Sequence, residues 1–230
     1  MQMTGPETIA AMRERQPDTI LAFSCGKDAV AAWLAMRGSF EKIVPYYLYL
    51  VPGLEFIEES ICYYERFFET KIIRLPHPSC HRLLNNLVFQ APENCLVIEQ
   101  ANLPAHTYED IRAAVVSMSG VDKDTYVADG VRAADSPMRR VSIATHGPIS
   151  HNQKKFHPVW DMKKADLVSL FRKFSVKLPI DYQLFGRSFD GLDLRFLLPI
   201  KKHLPADYRR ILEFFPLAEI EIFRWEKSRG

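Results

Sequence analysis

The chain has 230 residues, 47% of them hydrophobic and 25% charged, with a net charge of +2. That is ordinary for a globule with a real core, and no apolar run approaches the roughly 18 residues of a membrane span. Four scattered cysteines, Cys25, Cys62, Cys80 and Cys95, contain no C-x-x-C pair, which argues against a disulfide scaffold and against an iron–sulfur or zinc-ribbon site.

In chain order, Glu7 to Arg15 reads as a short amphipathic helix stopped by Pro17. Thr19 to Phe23 is a compact apolar run between Asp18 and Ser24, as expected of a buried parallel strand. Apolar residues then recur at helical spacing from Lys27 to Arg37, with Gly38 placed to end the helix. Lys42 to Leu50 is β-branched and aromatic, a second strand stopped by Pro52-Gly53. Phe56 to Phe68 predicts a helix and Lys71 to Leu75 a third strand. Residues 79–106 are irregular, with a short helix at His81 to Leu87; His77, Cys80 and His81 lie close enough to be read either as metal ligands or as plain loop. Tyr108 to Met118 predicts a helix, Thr125 to Ala128 a fourth strand, Asp129 to Arg140 a polar loop, Phe156 to Trp160 a fifth strand and Lys163 to Phe174 a basic amphipathic helix. Further helices are expected at Leu192–His203 and Ala206–Phe214.

Strands alternating with helices to residue 174 imply an α/β fold: a five-stranded parallel, doubly wound sheet with helices on both faces. Residues 1–174 are read as one α/β domain and 175–230 as a helical C-terminal extension packed on it. Whether that tail is a substrate lid or a homodimer surface stays open. No N-terminal basic patch precedes an apolar stretch, so the expected location is the cytoplasm, with no membrane association.

The charge is unevenly spread. Residues 1–120 carry 10 Lys or Arg against 14 Asp or Glu, whereas residues 121–230 carry 20 against 14. The second half is the better partner for phosphates, a nucleic acid or an acidic protein surface.

The turn after the first strand is Ser24-Cys25-Gly26-Lys27-Asp28. In a doubly wound sheet, such a turn is where a phosphate meets free N–H groups at a helix start. Gly26 permits close approach, Ser24 offers a hydroxyl, Lys27 a cation, and Asp28 either a metal ligand or a helix cap. No G-x-G occurs in the chain, and a Walker A loop is excluded by Leu21 in the place of its first glycine and by Asp28 after the lysine.

These residues resemble the PP-loop, Ser-Gly-Gly-Lys-Asp-Ser, of the N-type ATP pyrophosphatases and the phosphoadenylyl-sulfate (PAPS) reductase group, departing at Cys25 and Ala29. Three later segments are similar to that group in the same order: Val51 to Phe56, Gly130-Val131-Arg132 through Ser136 and Arg139, and His157-Pro158-Val159 with Trp160-Asp161 and Asp166-Leu167. The resemblance implies an adenine nucleotide alpha-hydrolase-like fold binding ATP with Mg²⁺. It implies catalytic roles for Lys27, Asp28 and Arg132 and a metal contact at Asp28. Nucleotide contacts would come from Phe23, Ser24, Cys25, Gly26, Lys27, Asp28, Ala29, Gly130, Arg132 and Arg139. The implied reaction is ATP cleavage between the α and β phosphates to adenylylate a substrate, in the manner of nucleic-acid modification or sulfur or nitrogen transfer. No cysteine follows Cys95, so the nucleophile that reduction needs is absent. The alternative is a PAPS reductase-like adenylyl-sulfate or nucleotide-binding protein without reductase activity.

Overall fold

The run Asp18–Ala22 is strand β1, and its burial alternates between two cores. Leu21 and the following Phe23 face a large cluster, whereas Ile20 faces a second one with Val44, Tyr46, Ile111, Val115 and Val127. Period-two alternation with apolar residues on both sides is what a sheet covered on two faces requires. The computed structural model describes residues 3–228.

Before β1, helix α1 (Gly5–Arg15) opens with a capping box between Thr4 and Glu7. After it come α2 (Lys27–Met36), β2 (Lys42–Tyr49), α3 (Glu55–Phe68), β3 (Ile73–Pro76), α4 (Pro78–Asn85), α5 (Pro92–Ala101), α6 (Tyr108–Ser119) and β4 (Val127–Ala128). The chain continues through α7 (Pro137–His146), β5 (Ile149–Ser150), β6 (Lys155–Phe156), α8 (Lys164–Phe174), α9 (Asp181–Phe185), α10 (Leu194–His203), α11 (Pro205–Phe214) and α12 (Glu219–Lys227).

The strand order is β3-β2-β1-β4-β6-β5. The first five of these run parallel, with Ile20 opposite Val44 on one side and opposite Val127 on the other; β5 alone is antiparallel, paired with β6. The expected five-stranded parallel sheet is therefore present, extended by one two-residue edge strand. Helices α2 and α8 pack together, and Val30, Ala31, Leu34 and Leu167 lie in the larger cluster; Ile111 and Val115 of α6 lie in the other, on the opposite face.

Three readings need correction. Phe156 to Trp160 is not one strand: it leaves the sheet after Phe156, and residues 158–161 turn. The loop predicted over Asp129 to Arg140 gives way at Pro137 to α7, capped by the Ser136 hydroxyl on the Arg139 N–H. Residues 92–101, left irregular, are α5, with Pro92 at its first turn, where proline starts helices rather than breaking them.

Helices α10 to α12 share the larger core: Phe196, Leu197, Ile200, Ile211 and Ile222 are all fully buried in it. No helix among the described residues is long and apolar enough to cross a membrane.

Candidate functional site

Strand order reverses between β1 and β4, so the crevice for a ligand lies at their carboxyl ends. Two turns meet there: residues 23–26 between β1 and α2, and 129–136 between β4 and α7. The second turn touches the start of α2 directly, since a Cβ on Gly130 would lie 2.6 Å from the Asp28 carbonyl carbon and 2.7 Å from the Ala29 nitrogen. Glycine at 130 is needed for this approach. Its part in the site is to let the two loops close on each other.

In the first turn Cys25 has a positive φ of 57° and is fully buried. Burial pushes its thiol well above the ordinary value, so it is an inert packing group rather than a nucleophile. The Ser24 side chain accepts the Gly26 N–H at 3.4 Å. Gly26 caps α2 without a side chain of its own, leaving the Lys27 amide to find an acceptor elsewhere. Ala29 is buried in the core, so the position that carries a hydroxyl in the resembled motif here serves packing.

The charged groups form one chain. Lys27 Nζ lies 2.7 Å from Asp28 Oδ2, and Arg132 Nε lies 2.7 Å from Asp28 Oδ1, an ion pair without hydrogen-bond alignment. Arg132 also donates from Nη2 to Asp135 at 2.6 Å and from Nη1 to the Met162 carbonyl at 3.2 Å; Asp135 holds Arg139 at 2.9 Å. This alters two expectations. The Arg132 guanidinium is 6% exposed and all three of its nitrogens are engaged by protein groups, so it is no free fork for an anion. It holds Asp28 instead. Both Asp28 oxygens face cations, and no group of three or more His, Cys, Asp or Glu among the described residues is arranged to hold a metal. With both oxygens on cations, Asp28 does not fit a Mg²⁺ ligand in this arrangement. Arg139 is half-exposed at the start of α7. Among the expected contacts, Ser24 and Arg139 are exposed, and Lys27, Asp28 and Gly130 are partly so.

Beside the loop, a cleft of about 290 Å³ opens at the carboxyl ends of β1 and β2. It is near the lower end of the usual ligand-cleft range, roughly 300–1,000 Å³, with room for a base rather than a whole nucleotide. Tyr46, Leu48, Leu50 and Ser24 border it, with His77, Ser79 and Tyr108 on the far wall. Phe23 also borders the cleft, but its ring is buried edge-on against Tyr64 at 5.2 Å and Phe68 at 5.4 Å, which removes it as a stacking partner for a base. A larger hollow of about 600 Å³, walled by Arg37, Lys42 and Ser119, lies at the amino ends of the strands, away from every strand-to-helix turn of the parallel sheet.

His77 Nδ1 accepts the Ser79 N–H at 3.0 Å, and its Nε2 lies 3.3 Å from the Tyr108 hydroxyl. Accepting at Nδ1 puts the proton of the neutral ring on Nε2. Burial, with help from the charges of Arg82 and His106, holds its pKa below the ordinary histidine value. His81 turns away to the Pro104 carbonyl, so the triplet His77, Cys80 and His81 does not converge.

Sequence reasoning missed the pair Asp129 and His157. Asp129 Oδ1 accepts from Val131 N at 3.0 Å and meets His157 Nδ1 at 2.6 Å across the ends of β4 and β6. The two residues stand 28 positions apart, and the only signal was that Asp129 precedes one singled-out segment and His157 begins another. It also missed the roof. Tyr182 and Ser188 lie on the Ser24–Lys27 turn, and Asp207 Oδ1 accepts the Glu55 N–H at the uncapped start of α3. Arg210 donates to the Pro52 carbonyl at 3.0 Å and covers Gly53, whose φ of +75° requires glycine. The Val51–Phe56 segment is thus clamped by α11. Asp166 accepts the Lys163 N–H at the start of α8, and Asp161 accepts the Gly5 N–H of α1 at 2.9 Å.

No protein-family model and no curated protein matches the sequence. Solved structures of similar shape include the U34-tRNA thiolase NcsA of Methanococcus maripaludis, at 14% identity and a TM-score of 0.46 over 93% of this chain and 78% of that one. The NH3-dependent NAD synthetase of Campylobacter jejuni matches at 12% identity and a TM-score of 0.45, over 96% and 92%. A "predicted subunit of tRNA methyltransferase" from Methanocaldococcus jannaschii matches at 17% identity and 0.34, over 85% and 87%. The chain is an α/β protein whose parallel sheet carries a Ser-x-Gly-Lys-Asp turn at its switch point.

Proposed function

We propose that this protein binds ATP at the Ser24–Asp28 loop and cleaves it between the α and β phosphates, adenylylating an acceptor. The observation that carries the reading is the juxtaposition of that loop, at the strand switch point, with a base-sized cleft at the ends of β1 and β2. The phosphates would lie at the α2 start, where backbone N–H groups and the positive helix end meet negative charge. Lys27 neutralises that charge, and Asp28, held by Arg132, sets the position of the Lys27 ammonium. An acceptor oxygen attacks the α-phosphorus, the bond to the bridging oxygen breaks, and pyrophosphate leaves with the electron pair. Catalysis then rests on orientation and charge neutralisation rather than on a protein nucleophile.

A second reading, a nucleotide-binding module without turnover, is favoured by one observation. Lys27, Arg132 and Arg139 are each already paired with a carboxylate. Pyrophosphate release from MgATP separates the two. The enzyme reading expects slow release without any added acceptor, abolished in Lys27→Ala. Tight ATP binding with no release, lost in Lys27→Ala, supports the module. Equal ATP binding by both proteins removes the loop from either reading. The surplus of Lys and Arg after residue 121 supports an anionic acceptor or partner; nucleic-acid binding that weakens steeply with salt would identify it.

A further inference from the structure

Residues 181–190 come from the last quarter of the chain, yet they sit on the loop at residues 24–28. The N–H of Lys27, first residue of α2, donates to the Tyr182 hydroxyl at 3.0 Å. In front of Gly26, a Cβ would meet Ser188 Oγ at 2.6 Å and Tyr182 Oη at 3.5 Å. Asp181 is 1% exposed; its Oδ2 accepts the Phe189 N–H at 3.1 Å, which ties the segment into a closed loop. Its Oδ1 is buried without a hydrogen-bond partner, and the carboxylate lies close enough to Cys25 to oppose ionisation of that thiol. Phe189 and Asp190 then form a wall of the cleft.

An N–H donates along one direction, so the Lys27 amide cannot serve Tyr182 and a phosphate oxygen together. We propose that Tyr182, with Ser188 beside it, is a self-ligand of the phosphate loop. Its hydroxyl fills the anion position on the Lys27 amide in the empty protein, and an oxygen of a bound nucleoside triphosphate displaces it. This rests on the reading of the loop as an ATP site. The exchange runs forward because a charged phosphate oxygen accepts more strongly than a phenol oxygen. Gly186, with a φ of +70° at the end of α9, is the turn within residues 181–190. The hydrogen bond from Phe189 to Asp181 and the wall at Phe189 move with them, so filling of the phosphate site and widening of the cleft are one event.

The test uses MgATP as the probe, with calorimetric titration of the wild type, Tyr182→Phe and Lys27→Ala. In parallel, trypsin is applied to the wild type with and without saturating MgATP. The cut after exposed Arg187 is followed by mass as the fragment beginning at Ser188. Tyr182→Phe should bind ATP about fivefold more tightly, the worth of one hydrogen bond no longer displaced. ATP should speed the cut at Arg187 several-fold in the wild type, a readout that does not depend on any variant folding. Equal or weaker binding by Tyr182→Phe, or slower cutting with ATP, overturns the proposal; the latter would make the segment a clamp on bound nucleotide. Where the wild type and Lys27→Ala bind ATP alike, or neither binds, the loop reading falls and takes this one with it. Where only Lys27→Ala loses binding and Tyr182→Phe is unchanged, the loop reading stands and the self-ligand alone falls.

Discussion

Cys25 shows how one dihedral angle constrains a motif. Its φ of 57° is in the left-handed region, which costs a residue with a Cβ about 1–2 kcal/mol. This accounts for glycine at the matching place in the resembled PP-loop. Here the cost is offset by a fully buried side chain acting as a small hydrophobe. Cys25→Gly should therefore leave stability within about 1 kcal/mol, strain relief balancing lost packing. Cys25→Val places a β-branched residue in the same conformation and should cost about 2–3 kcal/mol. Urea midpoints decide it, and equal tolerance of valine and glycine would show that φ is not the constraint. Four of the loop's five residues are legible as a phosphate turn in the sequence. The state of Arg132 is not, because its partners at positions 28 and 162 are brought in by other strand ends.

Among the elements, the β4–α7 turn and the start of α2 behave as one unit. Gly130 lets their backbones touch, and the chain Lys27–Asp28–Arg132–Asp135–Arg139 crosses the junction. Removing one partner of a buried pair leaves the other charge uncompensated. Arg132→Ala should lower unfolding stability by about 3–5 kcal/mol, read by chemical denaturation; a loss below about 1 kcal/mol would mean that Asp28 finds another partner or water. Helices α5, α7, α9 and α12 escaped the sequence, and for the first two the reason is how little they bury. Helix α5 has no buried residue and α7 only Ile143, so neither carries an apolar stripe for periodicity to detect. Their caps were present, as Pro92 and Ser136-Pro137, but proline reads equally as a helix start and as a loop.

At the scale of the whole molecule, the helices after residue 174 are part of the core and the roof of the site. Phe196, Leu197, Ile200, Ile211, Phe215 and Ile222 are all fully buried, and Tyr182, Asp207 and Arg210 bind loops of the sheet. A chain ending at residue 174 would expose the partners of all of these. It should show no cooperative thermal transition by circular dichroism; a soluble truncation with a sharp melt would establish 1–174 as an independent domain.

By itself, the sequence determined the alternation of strands and helices, the parallel sheet and the Ser-x-Gly-Lys-Asp turn after β1. Each of these is written in contiguous residues, as hydrophobic period or as a five-residue pattern. Only the tertiary structure decided which charges remain free at that turn, that Asp129 meets His157, and that Tyr182 occupies the Lys27 amide. The last two contacts join residues 28 and 155 positions apart in the chain, and no local pattern records a contact that exists only once the core has closed.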